Sequence, residues 1–275
     1  MTWRGNSRES RPQKAVRLLR TAANDPGRVM RALPGEFRQR YGSEQYLEAE
    51  VDNAWEEHLH NLLGAEWPCP QVHRLDDLMA EVSEMLTAKG LGFGRNTYGW
   101  YADADKWLCR AVWCVVLHTR PQVVVETGVA RGVTSRIVLE ALRQNDIGHL
   151  WSIDLPFPFD HRLHEQTGIA VSDECRARWS YLEGSSRERL PKLVAELGHV
   201  DVFIHDSLHT AKNTVFETGQ VASAIPPGGV LLVDDIRMHK GFATFARRHP
   251  GYQTIVCRHA DEIGMFGIAV QGSER

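Results

Sequence analysis

No apolar stretch of this 275-residue chain approaches the roughly 20 residues that a helix needs to cross a bilayer. Charge of one sign is also lacking. The 32 Lys and Arg stand against 35 Asp and Glu, a formal net charge of −3, which leaves no electrostatic footprint for nucleic acid. Cysteine is sparse and odd in number. Cys69, Cys109, Cys114, Cys175 and Cys257 form no Cys-x-x-Cys pair and read as free thiols of a cytoplasmic protein, with Cys109 and Cys114 as small core residues. A basic stripe (Arg4, Arg8, Arg11, Lys14, Arg17, Arg20) opens the chain, but no apolar segment follows it. It therefore reads as a solvated helix face and not as a secretory signal. There is no internal repeat, no low-complexity segment, and no Gly-x-Gly-x-x-Gly turn of the kind that holds a dinucleotide.

The 43% hydrophobic content suffices for one substantial core and a smaller extension. Helical spacing of apolar residues predicts a first helix over 15–22 and a second from Ser43 to Gly64 through Leu47, Val51, Trp55, Leu59 and Leu62. Trp67-Pro68-Cys69-Pro70 breaks the pattern, because neither proline continues a helix. A third helix is expected from Leu75 to Ala88 and a fourth from Asp103 to Thr119, stopped by Pro121. These helices suggest an α-helical N-terminal extension over 1–90, ahead of an α/β domain over 91–275. Trp3, Trp55 and Trp67 give the extension more apolar surface than one thin helical layer covers, which suggests a homodimer formed through it.

The α/β domain announces itself at 122–135, Gln-Val-Val-Val-Glu-Thr-Gly-Val-Ala-Arg-Gly-Val-Thr-Ser. Three valines read as a buried parallel strand closed by Glu126. Gly128 and Gly132 frame a turn, and Thr134 and Ser135 open a helix continued by Ile137, Val138, Ala141 and Leu142. Glycines at a strand-to-helix turn let a ligand approach bare backbone at a helix N-terminus. An acid at the strand end favours a ligand carrying an ammonium group over one carrying a pyrophosphate, and S-adenosylmethionine fits. Taken alone, the motif fits a plain strand–helix turn of another α/β protein equally well.

Further strands follow at Leu150–Asp154, Trp179–Leu182, Asp201–Asp206 and Val230–Asp235, then a hairpin of Gln253–Arg258 and Ile263–Val270. Their alternation with helices predicts a doubly wound, mostly parallel, seven-stranded sheet with one antiparallel strand. Asp154 ends the second strand, where such folds hold ribose hydroxyls, and Gly184-Ser185 follows the third, where an adenine would lie.

This order resembles the class I S-adenosylmethionine-dependent methyltransferases over roughly Trp100 to Val270. The closer resemblance is to bacterial O-methyltransferases of macrolide-sugar and aminocoumarin tailoring, with cephalosporin-hydroxylase-like relatives. It is carried by Val-Val-Glu-Thr-Gly-Val-Ala-Arg-Gly (124–132), Ser-Ile-Asp-Leu-Pro (152–156), Phe-Ile-His-Asp-Ser-Leu-His-Thr (203–210) and Pro-Gly-Gly-Val-Leu-Leu-Val-Asp-Asp (227–235). The resemblance implies O-methylation of a hydroxyl on a small molecule or glycosyl group. It implies cofactor contacts from Glu126, Thr127, Gly128, Gly132, Thr134, Ser135, Asp154, Gly184, Ser185 and Asp206. The acceptor itself stays open among a sugar hydroxyl, a polyketide, a phenol and a glycolipid headgroup.

Asp206 ends the fourth strand and Asp234 and Asp235 the fifth. Acids at the ends of adjacent strands, about 5 Å apart, can share one cation, and an all-oxygen set suits Mg2+. Each acid could equally serve as a helix or loop cap; the resemblance to metal-dependent relatives favours the metal. His209 lies three residues past Asp206. In the related enzymes a histidine at this place follows Asp-Gly-Asp, whereas here the run is Asp206-Ser207-Leu208, which leaves His209 as the expected base, a neutral imidazole near pH 7. His205 should point to the opposite, helix-covered face as a structural histidine, and His239 reads as a surface-loop residue. Tyr98, Trp100 and Tyr101 read as packing residues or a lid, and Phe157, Pro158 and Phe159 as a pocket wall. Two other readings remain: a nucleotide-dependent oxidoreductase on the same fold, and a non-catalytic cofactor binder acting through the extension.

Overall fold

The computed structural model describes residues 50–94, 97–98, 103–156 and 161–272. The expectations for 15–22, 43–49, Trp3, Trp100, Tyr101 and 157–159 lie outside these residues.

One sheet of seven strands runs in the order β3-β2-β1-β4-β5-β7-β6. Its strands are β1 (Val123–Thr127), β2 (His149–Asp154), β3 (Trp179–Glu183), β4 (Val202–His205), β5 (Val230–Val233), β6 (Tyr252–Arg258) and β7 (Met265–Gln271). β7 is antiparallel to both neighbours, and every other pair is parallel. The central strands β1 and β5 are buried along their whole length, which is why their valines and leucines read as apolar runs.

Register aligns like with like across the sheet. Val124 lies beside Leu150 and Val202, which lies beside Val230, which lies beside Val270. These residues share one core with α1 (Trp55–Leu63), α2 (Val72–Ala88), α3 (Lys106–Thr119) and α4 (Val133–Asn145). Val125, Phe203, Leu231 and Ala269 face the other core, under α5 (Ser186–Leu197), α6 (Ala211–Val221) and α7 (Gly241–Arg248).

The N-terminal helices are part of this body. Trp55 packs edge-on against Phe266 of β7, with ring centroids 5.6 Å apart. Its indole is therefore spent inside the fold and offers no surface for a dimer.

Among the described residues, the helix expected from Ser43 to Gly64 is helical only over Trp55–Leu63. The Asp52 N–H donates to the Val256 carbonyl of β6 at 2.9 Å, and Asp52 Oδ1 accepts from the Ala54 N–H at 2.8 Å. Pairing with the sheet edge and an Asp-type turn both compete with helix for the same backbone groups. Asp105 caps α3 by accepting from the N–H groups of Trp107 and Leu108, so that helix starts at Lys106 and not at Asp103.

Candidate active site

The carboxyl ends of β1, β2, β4 and β5 are neighbours, and the turns that follow them carry most of the residues expected at a site. Gly128 adopts φ 87°, and a Cβ there would sit 1.9 Å from the Asp206 carbonyl oxygen. Only glycine lets the β1 turn lie this close to the end of β4. Gly132, at φ 80°, opens α4 without a side-chain cap. The free N–H groups of that first turn suit a polar ligand.

Glu126 is fully buried at the end of β1. Its Oε2 accepts hydrogen bonds from the hydroxyls of Ser135 at 2.6 Å and Ser152 at 2.7 Å. Its Oε1 is buried with no hydrogen-bond partner among the described residues. Burial pushes this carboxyl up to about 8, against the two serine hydrogen bonds, with Asp206 and Asp154 adding to the rise. A neutral buried acid with an orphaned oxygen is a costly feature, and it fits a missing donor such as an ammonium group.

Asp154 ends β2, and its Oδ2 accepts from the Ala130 N–H at 3.2 Å. Ala130 is held at φ 47°, a strained value for a residue with a Cβ. The Gly184 N–H donates to the Asp154 carbonyl at 2.8 Å, which brings Gly184 and Ser185 beside the end of β2. Thr127 departs from expectation. Its hydroxyl donates to Glu217 Oε2 at 2.6 Å on α6, because strand alternation turns it to the face opposite Glu126. Thr134 and Ser135 are buried in the first turn of α4, and Ser135 reaches the site through Glu126.

His205 is the buried structural histidine expected from strand parity. Its Nδ1 lies 2.5 Å from Glu217 Oε2 and its Nε2 3.0 Å from the Thr214 hydroxyl. Glu217 also accepts from Ser207 and Asn213. Burial alone would raise this carboxyl, but the His205 charge and the surrounding donors hold it at about 2. His239 is not a surface residue. It is buried, with Nε2 3.3 Å from the Thr214 hydroxyl and Nδ1 accepting from the Gly241 N–H at 3.1 Å. Gly241 permits that closeness, since a Cβ there would meet Thr214 Cβ at 2.7 Å.

The three acids do not form one set. Ligand atoms of Asp206, His209 and Asp234 lie within 4.8 Å of one another, and those of Asp234, Asp235 and His259 form a second such group. Asp235 adopts φ 49°, which ends the strand alternation and carries its carboxylate to His209 Nδ1 at 2.7 Å. The other ring nitrogen of His209 stands 3.4 Å from Asp206 Oδ1 without hydrogen-bond geometry, and it has no hydrogen-bond partner among the described residues.

Burial and then the Asp234 charge raise Asp206 to about 6. Burial opposes the charged form of His209, but Asp235 and Asp206 together lift it well above the ordinary imidazole value. His259, in the β6–β7 turn, lies 2.7 Å from Asp234 Oδ1 and is raised to about 9 by that carboxylate against the opposing effect of burial. It escaped the sequence reading because nothing near it in the chain marks a site; hairpin pairing alone brings it to the end of β5.

Arg131 also escaped notice. Its guanidinium is buried within the β1 turn and donates to the carbonyls of Gly92 at 2.7 Å and Thr97 at 2.5 Å. It thereby ties the cofactor-side turn to the segment that carries Tyr98, itself buried, with its hydroxyl 3.3 Å from that of Thr167.

A seven-stranded sheet in this order, with acid-ended strands β1 and β2 beside a glycine turn, is the class I methyltransferase fold. Residues 125–236 match the family model described as a methyltransferase domain. Among solved structures, the chain is similar to the O-methyltransferase TomG from Streptomyces achromogenes, involved in tomaymycin synthesis and solved with S-adenosylmethionine. That pair shares 13% identity with a TM-score of 0.54, covering 80% of this chain and 97% of TomG. An O-methyltransferase from Bacillus cereus, solved with S-adenosylhomocysteine, shares 12% identity with a TM-score of 0.53, covering 79% of this chain and 97% of that one. No curated protein matches the sequence. No helix among the described residues is long and apolar enough to cross a membrane.

Proposed function

We propose that the protein transfers the methyl group of S-adenosylmethionine to a hydroxyl of a small-molecule or glycosyl acceptor in the cytoplasm, assisted by a divalent cation. The observation that carries this reading is the convergence of Asp206, His209 and Asp234 within 4.8 Å at the ends of adjacent strands. Glu126 Oε1 would take the ammonium of the cofactor, Asp154 its ribose, and the Gly184-Ser185 turn would flank its adenine. The donor set fits a cation. Burial and the neighbouring Asp234 charge make the Asp206 carboxylate costly to ionise, and a shared positive charge would relieve that cost. Asp206 and Asp234 would hold Mg2+, with Asp235 held against His209. When bound, such an ion lowers the pKa of an acceptor hydroxyl.

Bound S-adenosylmethionine would supply a methyl carbon whose bond to sulfur breaks as the acceptor oxygen takes it, the electron pair staying on sulfur. His209 Nε2 would take the hydroxyl proton. Asp235, on Nδ1, fixes the ring and steadies the imidazolium that results. A homodimer through the helical extension remains part of the proposal, resting on Trp3 and the partly exposed Trp67, and light scattering reads it directly.

Turnover of a hydroxyl acceptor in the presence of Mg2+ should disappear with chelator and return with added metal. Asp234→Asn should lose the metal dependence or the activity while still binding S-adenosylhomocysteine. Undiminished activity after complete metal removal would sink the metal-assisted mechanism.

A further inference from the structure

Away from the cleft, four side chains meet that no step above uses. Cys114 and His118 lie one turn apart on α3 and so share a helix face. His60 comes from the last turn of α1, and Cys69 from the segment joining α1 to α2. One ligand atom from each lies within 4.8 Å of all the others. We propose that His60, Cys69, Cys114 and His118 form a structural zinc site that fastens the α1–α2 connection to α3.

Three independent features support it. First, the donor set is right. Two thiols and two imidazoles are soft ligands that select zinc over Mg2+, and four of them close the coordination shell, as in structural sites. Bond lengths of about 2.3 Å to sulfur and 2.0–2.1 Å to nitrogen imply tetrahedral edges of about 3.3–3.8 Å. Cys69 Sγ and His118 Nε2 already stand 3.5 Å apart.

Second, His60 is prepared as a ligand. Its Nδ1 lies 2.7 Å from the Glu56 carbonyl and donates to it, which fixes the tautomer and leaves Nε2 with a lone pair. That Nε2 is buried, in a fully buried residue, and has no hydrogen-bond partner among the described residues. Left unmet, such a group is destabilising; a metal bond satisfies it.

Third, the two sulfurs are buried and unoxidised, so both remain able to bind a metal.

The surroundings are built to hold this geometry. The Trp113 indole N–H donates to the Gln71 carbonyl at 3.1 Å, pinning the same connection to α3 two residues beyond Cys69. The Glu56 carboxylate, one turn before His60, pairs with Arg110 of α3. Because α3 ends where β1 begins, the site lies toward the amino edge of the sheet, away from Asp206 and Asp234 at the carboxyl edge.

The test uses the full chain, tag-free and purified without chelator. Elemental analysis should find about one zinc per chain, the stoichiometry of a single four-ligand site. Replacement by cobalt(II) should give the intense visible bands of a tetrahedral ion together with a thiolate-to-cobalt charge-transfer band. Cys69→Ser, in a connecting segment, should abolish the charge-transfer signature and the zinc, whereas Asp234→Asn should leave both unchanged. The spectrum of the unaltered chain decides the matter even if a variant fails to fold. A chain that takes up no zinc at micromolar metal, or a six-coordinate cobalt spectrum, would overturn the proposal. So would a zinc content that follows Asp234 instead of Cys69, or a Cys69–Cys114 disulfide in protein isolated under thiol block.

Discussion

Glu126 makes the most exacting prediction, because its state must change when the cofactor arrives. Without cofactor, burial holds its carboxyl at about 8. About nine-tenths of the molecules therefore carry the proton at pH 7, and essentially all at pH 6. An ammonium donating to Oε1 favours the carboxylate, so binding S-adenosylhomocysteine should expel about 0.9 proton per chain at pH 7. Calorimetry in two buffers of different ionisation enthalpy reads that number from the difference in apparent heat.

The same linkage sets the pH dependence. Between pH 6 and 7, where the ligand's ammonium stays protonated, affinity should rise about ninefold as the proton to be expelled becomes easier to remove. Glu126→Gln keeps the shape, removes the proton release, flattens the profile and weakens binding about 10- to 150-fold, the loss of one charge-assisted hydrogen bond of about 1.5–3 kcal/mol. The sign for stability runs the other way. A carboxyl raised above its ordinary 4.5 binds its proton more tightly in the folded state. Its contribution is whole below 4.5 and is lost as pH climbs through 8, so the ligand-free wild type should lose stability over that window more than Glu126→Gln does. A binding heat independent of buffer at pH 7, together with a flat affinity profile, would refute the reasoning.

Gly128→Ala should destabilise the fold by about 2 kcal/mol or more in thermal or denaturant unfolding, since both φ and the contact with the Asp206 carbonyl forbid a Cβ. An unchanged unfolding midpoint would show that the turn can move away from β4. His209→Ala should slow single-turnover methyl transfer by about 10²–10⁴-fold with cofactor affinity unaltered, the range for loss of a general base. Asp235→Asn should cost less and shift the pH profile of that step, because it orients the ring without touching the reacting oxygen.

The sheet was legible because each strand carries its own signal. The valines of β1, the Pro-Pro-Gly-Gly turn before β5 and the hairpin β6–β7 specify their elements locally, and strand parity alone assigned His205 to the covered face. Most misreadings trace to contacts made far along the chain. Asp52 leaves the expected helix because β6 offers it a carbonyl about 200 residues away. His239 looked exposed because a loop histidine usually is, yet Thr214 of α6 takes it inside. Asp235 sat next to Asp234 in the sequence, and a single left-handed residue separated their partners. The four zinc-ligand candidates span 58 positions with no repeating interval, so only the folding of α1 and its connection onto α3 brings them together.

The Arg131 guanidinium makes the glycine turn after β1 and the backbone at Gly92 and Thr97 one mechanical unit. Whatever steadies one steadies the other, so a ligand that orders the turn would also order Gly92 and Thr97. A second ligand resting on those residues would then tighten the first by the same factor that the first tightens it, whichever arrived earlier. Such coupling would be carried by one side chain that need never touch either of them.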